Sequence, residues 1–402
     1  MPSALTWLDV SAEQQRRVRD MIRLFEEPGT RDELGVGPVR DAFSELLFPG
    51  TSVIQTRARY LLFVPWHFQE AQRRGLRGQA LLQRVDRNER QLIERFRKAG
   101  IVDGLIGRQA GARVKTLPST IYWSGLDRLG VLASSMTPRA VASLGNGGAV
   151  DEGDELASRS SGAWHATLPP APLGFPSEDS GGFDLTAREA HWLQERLLDR
   201  ASGTLFAHLV CGPRLAESGA PWTEPSTQLA PSTVCEVVEH ARRFSNVMQG
   251  AALLYNLLVS EAYEAKGFTR IDSPVDAYRE LLTEWAADVN ADHQLLRRSW
   301  PAFWLVVSSG NGRVPPAART FIETWVDQVD IVGPAGLADR DEARRLVAGR
   351  AGKLRGGRSV LVNEKLLALW GGSSGASPLV YRWGTVRRLV LDIQDGLDRA
   401  GA

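Results

Sequence analysis

Between Val234 and Val259, apolar and small residues return at steps of three and four: Val234, Val238, Ala241, Ser245, Met248, Ala252, Tyr255 and Val259. That spacing keeps them on one side of an α-helix and predicts a helix of nearly thirty residues, roughly 40 Å long. A helix of this length gains most of its stability from neighbours that cover its apolar face, so the surrounding chain has to be organised around it. Thr233 and Glu236, just after Pro231, have the spacing of a capping box. Gly250-Ala251-Ala252 would let a neighbouring helix approach closely. The segment is expected to be the central post of its domain.

Other segments carry the same period. Val18, Ile22 and Phe25 follow possible caps at Asp9 and Ser11, and Pro28-Gly29 ends that helix. A second helix is expected from Pro38 to Pro49-Gly50, and a third from about Ser52 toward Pro65, its end apolar all round from Tyr60 to Val64. A fourth runs from about Gln79 to Lys98, and a short one opens near Leu117 with Ser119 as its cap. Further helices are expected near 276–290, 316–329, 339–349, 359–370 and 384–399. Alternation of period two is missing, which predicts a mainly α protein.

From about Gly145 to Gly182 the chain turns rich in Gly, Ser and Pro, with few periodic apolar residues. That composition reads as a linker or a long irregular excursion between domains. The expected organisation is therefore an N-terminal helical domain over 1–144, the linker over 145–182, and a C-terminal domain over 183–402 built around the long helix. At 402 residues the chain can bury a core in each. No run of about 20 apolar residues suggests a membrane span, and no signal-peptide core opens the chain. With Cys211 and Cys235 unpaired in spacing, a reduced cytoplasm is the expected setting.

The net charge of +1 provides no global field, so a polyanion would have to be met by a local patch. Two patches stand out. Between Arg73 and Lys98 there are nine basic residues against three acidic ones. On a helical wheel Arg77, Arg84, Arg87, Arg95 and Lys98 fall opposite the stripe of Leu81, Leu82, Val85, Leu92, Ile93 and Phe96. Arg344, Arg345, Arg350, Lys353, Arg355 and Arg358 form the second, in a stretch from Ala343 to Arg358 that holds no acid. Arg57 and Arg59, after a two-helix unit, suggest a helix-turn-helix-like module. Arginine forks suit phosphate, although solvated helix faces look the same in sequence. Tyr381-Arg382-Trp383 could stack bases, but core packing is the better account of it.

Catalytic patterns fail on context. Gly371-Gly372-Ser373-Ser374-Gly375 has the form of a nucleophile elbow, but a helix precedes it and no histidine follows it. Gly349-Arg-Ala-Gly352-Lys353 lacks the spacing and the Ser or Thr of a phosphate loop. The six histidines show no metal-binding spacing. Asp392 and Asp395 read as solvated. No catalytic residue, metal site or cofactor is expected.

Several blocks together are familiar: LTWLDVS, DELGVGPVRDAFSELLFPGTSVIQTRARYLLFVPW, LPSTIYWSGL, GAALLYNLLVSEA, LALWGGSSG and YRW. They resemble the bacterial family of domain of unknown function 6361 over nearly the whole chain. The resemblance implies a place in defence islands, beside helicase, nuclease or methyltransferase subunits, and carries no catalytic residues with it. The expected function is a non-catalytic component of an anti-phage or anti-plasmid system that binds nucleic acid, with DNA one candidate, or a nucleic-acid-processing partner. The alternatives are a metal-dependent nuclease with carboxylates scattered in sequence, which needs three or more converging acids, and a scaffold that touches only protein.

Overall fold

A computed structural model describes residues 32–144, 162–177, 181–289, 291–310 and 313–399. Its helices are α1 (Gly37–Leu47), α2 (Tyr60–Arg73), α3 (Gly78–Lys98), α4 (Pro118–Arg128), α5 (Pro138–Ser143), α6 (Ala187–Arg200) and α7 (Leu205–Cys211), then α8 (Ser232–Ala265), α9 (Pro274–Asp288), α10 (Asp292–Arg298), α11 (Trp300–Ser309), α12 (Pro316–Val332), α13 (Asp341–Arg355), α14 (Glu364–Ala368) and α15 (Trp383–Asp398). Among the described residues extended chain pairs only in one isolated bridge, Leu132 with Trp164. The protein is all-α, as the patterning predicts. The helix expected over residues 9–27 lies outside the described residues.

The described chain groups into two units, each made of separated stretches: 32–42 with 239–379, and 43–238 with 380–399. Of the stretch 145–182, residues 162–177 and 181–182 are described and fall inside the second unit.

In the first unit, α8 is the post. No residue of α8 from Phe244 to Ser260 is exposed, so burial extends well beyond the predicted stripe to Phe244, Val247, Ala251 and Leu254. Two tryptophans fix its neighbours: Trp285 of α9 donates to the Asn246 carbonyl at 2.7 Å, and Trp325 of α12 to the Val247 carbonyl at 2.9 Å. Buried indoles need such partners. Gly250 is what lets Trp285 in, because a β-carbon there would lie well inside contact distance of the indole. The close approach is thus made by a ring rather than by a helix backbone. The helix begins at Ser232, so Thr233 lies inside its first turn and does not cap it.

In the second unit, α2 is the buried centre. Of Tyr60 to Ala71 only Gln69 escapes full burial. Its rings join a cluster in which Phe63 meets Trp66, Phe96, Phe175 and Phe183 at centroid distances near 6 Å. Amphipathic α3 lays Leu81, Val85, Leu92, Ile93 and Phe96 against this core. The last helix, α15, closes against α6 where Gly396 meets Ala190 and Leu185.

The third helix starts at Tyr60, not near Ser52, for a definite reason. The Tyr122 hydroxyl accepts the amides of Thr56 and Arg57, at 2.7 and 3.0 Å, and the Asp392 carboxylate accepts that of Ala58 at 2.8 Å. Amides held by side chains are not available to a helical ladder. The helix then runs through Pro65, which cannot donate to Leu61. Ser119 is likewise not a cap; α4 begins at Pro118, and the Ser119 amide is itself bound by Glu89.

Gly250→Ala is expected to lower stability by about 1–3 kcal/mol, the usual range for overpacking a core, although alanine is the better helix former by about 1 kcal/mol. Thermal or urea unfolding measures it. In a Trp285→Ala background the same change should cost nothing more, and simple additivity would place the strain elsewhere.

Candidate functional site

The arginines singled out in the sequence separate into two kinds once their partners are known. Arg57 grips Asp392 with its Nε 3.0 Å from both carboxylate oxygens and its Nη2 2.9 Å from one. Asp392 is buried, not solvated, and burial raises its pKa against the opposing pull of Arg57. Arg59 is 2% exposed and donates to Glu189 and to the Gly182 carbonyl, both at 2.9 Å. Neither guanidinium is presented to a phosphate. The helix after them, α2, is enclosed by the core, and the first helix of the two-helix unit expected before them lies outside the described residues.

The 344–358 patch is also largely engaged. Arg344 pairs with Glu261 and donates to the Ala338 carbonyl at 2.7 Å. Arg350 donates to the Leu34 carbonyl at 2.8 Å and lies over the Phe321 ring. Arg355 holds Glu33 and the Asp32 carbonyl, each at 3.1 Å. Arg345 keeps a loose contact with Glu342 at 3.3 Å. Of this patch, only Lys353 and Arg358 are exposed with no hydrogen bond or ion pair. The absence of acids in sequence is misleading here, because Glu33 and Glu261 arrive from far away.

The outer face of α3 differs. Arg84 binds Glu70, whose carboxyl burial would raise but which Arg84, Asn88 and Arg74 together pull down to about 2. Arg95 donates to the Pro176 carbonyl at 2.8 Å. Arg77, Arg87 and Lys98 remain exposed, and none makes a hydrogen bond or ion pair. The acids nearby are already occupied: Asp86 by Arg90 at 2.7 Å, Glu94 by Arg97 at 3.0 Å and by the Ala112 amide at 2.7 Å. Arg90 also donates to the carbonyls of Ala112 and Val114, which draws the turn at 111–115 alongside the helix. That turn adds Arg113 and Lys115, both exposed and unpaired. Sequence reading missed these two, since the bonds of Arg90 and Glu94 to a turn about twenty residues away are what reveal where they lie. Between helix and turn is an open depression lined by Arg90, Gln91, Glu94, Arg95, Lys98 and Ala112.

Under this face lies an enclosed polar cluster. Glu89 is buried and accepts the Ser119 amide at 2.6 Å and the Ser119 hydroxyl at 2.8 Å, which caps α4 from outside. Burial pushes its carboxyl up to about 7 against those two bonds. His67, on the same small cavity, is pushed down to about 3 by burial and stays neutral. The cavity walls are otherwise Tyr60, Phe63, Leu92, Ile93, Phe96, Leu105 and Pro118.

The Gly371–Gly375 loop follows a helix, not a strand, and is clamped by Asn256, which exchanges bonds with both the amide and the carbonyl of Ser374. That is a structural strap, not a nucleophile elbow. Tyr381 and Trp383 are buried and pack in the core, while Arg382 between them is half-buried and pairs with Glu45. Among the described residues no group of three or more His, Cys, Asp or Glu could hold a metal, and no helix is long and apolar enough to cross a membrane.

A folded pKa near 7 means that native Glu89 binds more protons than the unfolded chain between pH 4.5 and 7, so its contribution weakens as pH rises through that window. Glu89→Gln should remove this dependence and raise stability above pH 7 by on the order of 3 kcal/mol. His67 gives the opposite slope below its ordinary value, so the difference between variant and parent is the quantity to follow by urea unfolding. A difference that does not change with pH would refute the shift.

No curated protein and no solved structure matches the chain. A family model described as a family of unknown function, DUF6361, matches residues 2–396. With nearly every residue inside that match, the chain belongs to the DUF6361 family.

Proposed function

We propose that this protein is a non-catalytic component of a bacterial anti-phage or anti-plasmid system and binds nucleic acid through the outer face of α3. The family resemblance implies the setting, beside helicase, nuclease or methyltransferase subunits. One observation carries the binding: Arg77, Arg87, Lys98, Arg113 and Lys115 are exposed and unpaired on one helix and the turn stapled to it, while the acids among them are neutralised. Unpaired cations on a fixed scaffold release counterions from a phosphate backbone without first breaking internal salt bridges. The remaining arginines of the face support it: Arg84 and Arg90 pin the helix and the turn, and Arg95 holds the 176 segment. A nuclease reading would need three or more converging acids, and the described residues bring no such group together.

The variant R87E/K98E/R113E should bind nucleic acid at least about tenfold more weakly, and the slope of log affinity against log salt should flatten by about 0.9 for each phosphate no longer neutralised. Its circular dichroism and melting temperature should match the parent, because none of the three side chains has an internal partner. Arg84→Glu is the contrasting control: it should unfold the protein by setting two carboxylates against each other at Glu70. Mobility shifts at two salt concentrations decide the matter, and unchanged affinity in the folded triple variant returns the face to solvent.

A further inference from the structure

Resting on that reading, we infer that the ligand of the α3 face is a nucleic-acid duplex, held along its backbone with its bases stacked and unread. Three features of the face lead there. The first is its length: from Arg77 to Lys98 the helix carries its cations over roughly 30 Å of rigid scaffold, a span matching about nine base pairs at 3.4 Å each. A stiff row of charges suits a stiff ligand, since a flexible strand would lose conformational entropy on aligning with it.

The second is charge density. A duplex presents one phosphate charge per ~1.7 Å of axis, against ~3.4 Å for a strand in the same geometry, and each neutralised phosphate releases about 0.9 counterion on the duplex against about 0.7 on a strand.

The third is the orientation of the aromatic rings. Single strands are held by stacking their bases on exposed rings. Here Phe63, Trp66, Phe96, Phe175 and Phe183 all turn into the core beneath α3, locked ring against ring. The outward uncharged side chains between the cations are Gln79, Ala80, Gln83 and Gln91. The depression beside Lys98 is open and lined by charged and amide groups, with neither the enclosure nor the flanking rings that hold a flipped base. What this surface offers is charge in a line, which positions a backbone and carries no base information.

Fluorescence anisotropy tests this with the full chain and four probes: two DNA duplexes of about 20 base pairs that differ in base composition, a matched RNA duplex, and an oligothymidine of equal length, each also titrated with R87E/K98E/R113E. The expected result is that the two DNA duplexes bind within about threefold of each other, the oligothymidine binds at least about tenfold more weakly, and the variant loses duplex binding. The RNA duplex identifies the source, and tight binding of either duplex type supports the inference. Equal affinity for oligothymidine and duplex, both lost in the variant, overturns the duplex inference and leaves the nucleic-acid reading standing. A strong preference between the two DNA sequences overturns the claim that bases go unread. No binding of any probe, or binding that the variant keeps, overturns the inference and the reading together.

Discussion

The carboxylate of Asp392 holds the second unit in register. It sits on the last helix and takes, at once, the Arg57 guanidinium and the Ala58 amide. Removing one partner of a buried pair like this costs about 3–5 kcal/mol, because the other charge stays in the core unanswered. Its placement has consequences upward through the unit. With residues 56–58 bound to side chains, α2 can only start at Tyr60. From that start Phe63 and Trp66 point into the ring cluster, and α3 is laid with Phe96 on the same cluster. The exposed side of α3 is therefore set by bonds made some 300 residues away in sequence.

Arginine does two jobs in this protein, and composition cannot distinguish them. One is charge at the surface. The other is stapling irregular chain: Arg59, Arg90, Arg95, Arg350, Arg355, Arg387 and Arg399 each donate to backbone carbonyls outside regular helix ladders, those of Gly182, Val114, Pro176, Leu34, Asp32, Ala216 and Leu185. An all-helical chain with long connections has many such carbonyls to satisfy. A planar group with five donors satisfies several at once, which a lysine ammonium does less well. The preponderance of arginine over its five lysines thus has a structural use here, independent of any ligand.

The helices are legible in the sequence where one face decides burial. The periods of α3, α8 and α15 place those helices to within a few residues. What sequence does not supply is pairing at long range. Asp392 reads as solvated because Arg57 lies 335 positions away, and Arg355 reads as free because Glu33 lies 322 away. The short helices α7, α10 and α11 escape a reading by period, since seven to ten residues hold too few turns for one to show. For α6 the capping box of Thr186 and Glu189 is the signal that marks its start. On the candidate face, Arg77, Arg87 and Lys98 are readable from the wheel, whereas Arg113 and Lys115 depend on a turn that Arg90 and Glu94 hold.

Side chains that hold coil amides bear on how this protein opens. The amides of Thr56, Arg57, Ala58, Ser119, Ser374 and Leu379 are bound by Tyr122, Asp392, Glu89, Asn256 and Ser245. In hydrogen–deuterium exchange such amides are released only when the helix carrying the partner moves away. Slow exchange in this chain is therefore not a map of its helices. The coil at 56–58 should exchange together with α15 and α4, so the cooperative unit of opening includes a segment with no regular structure of its own.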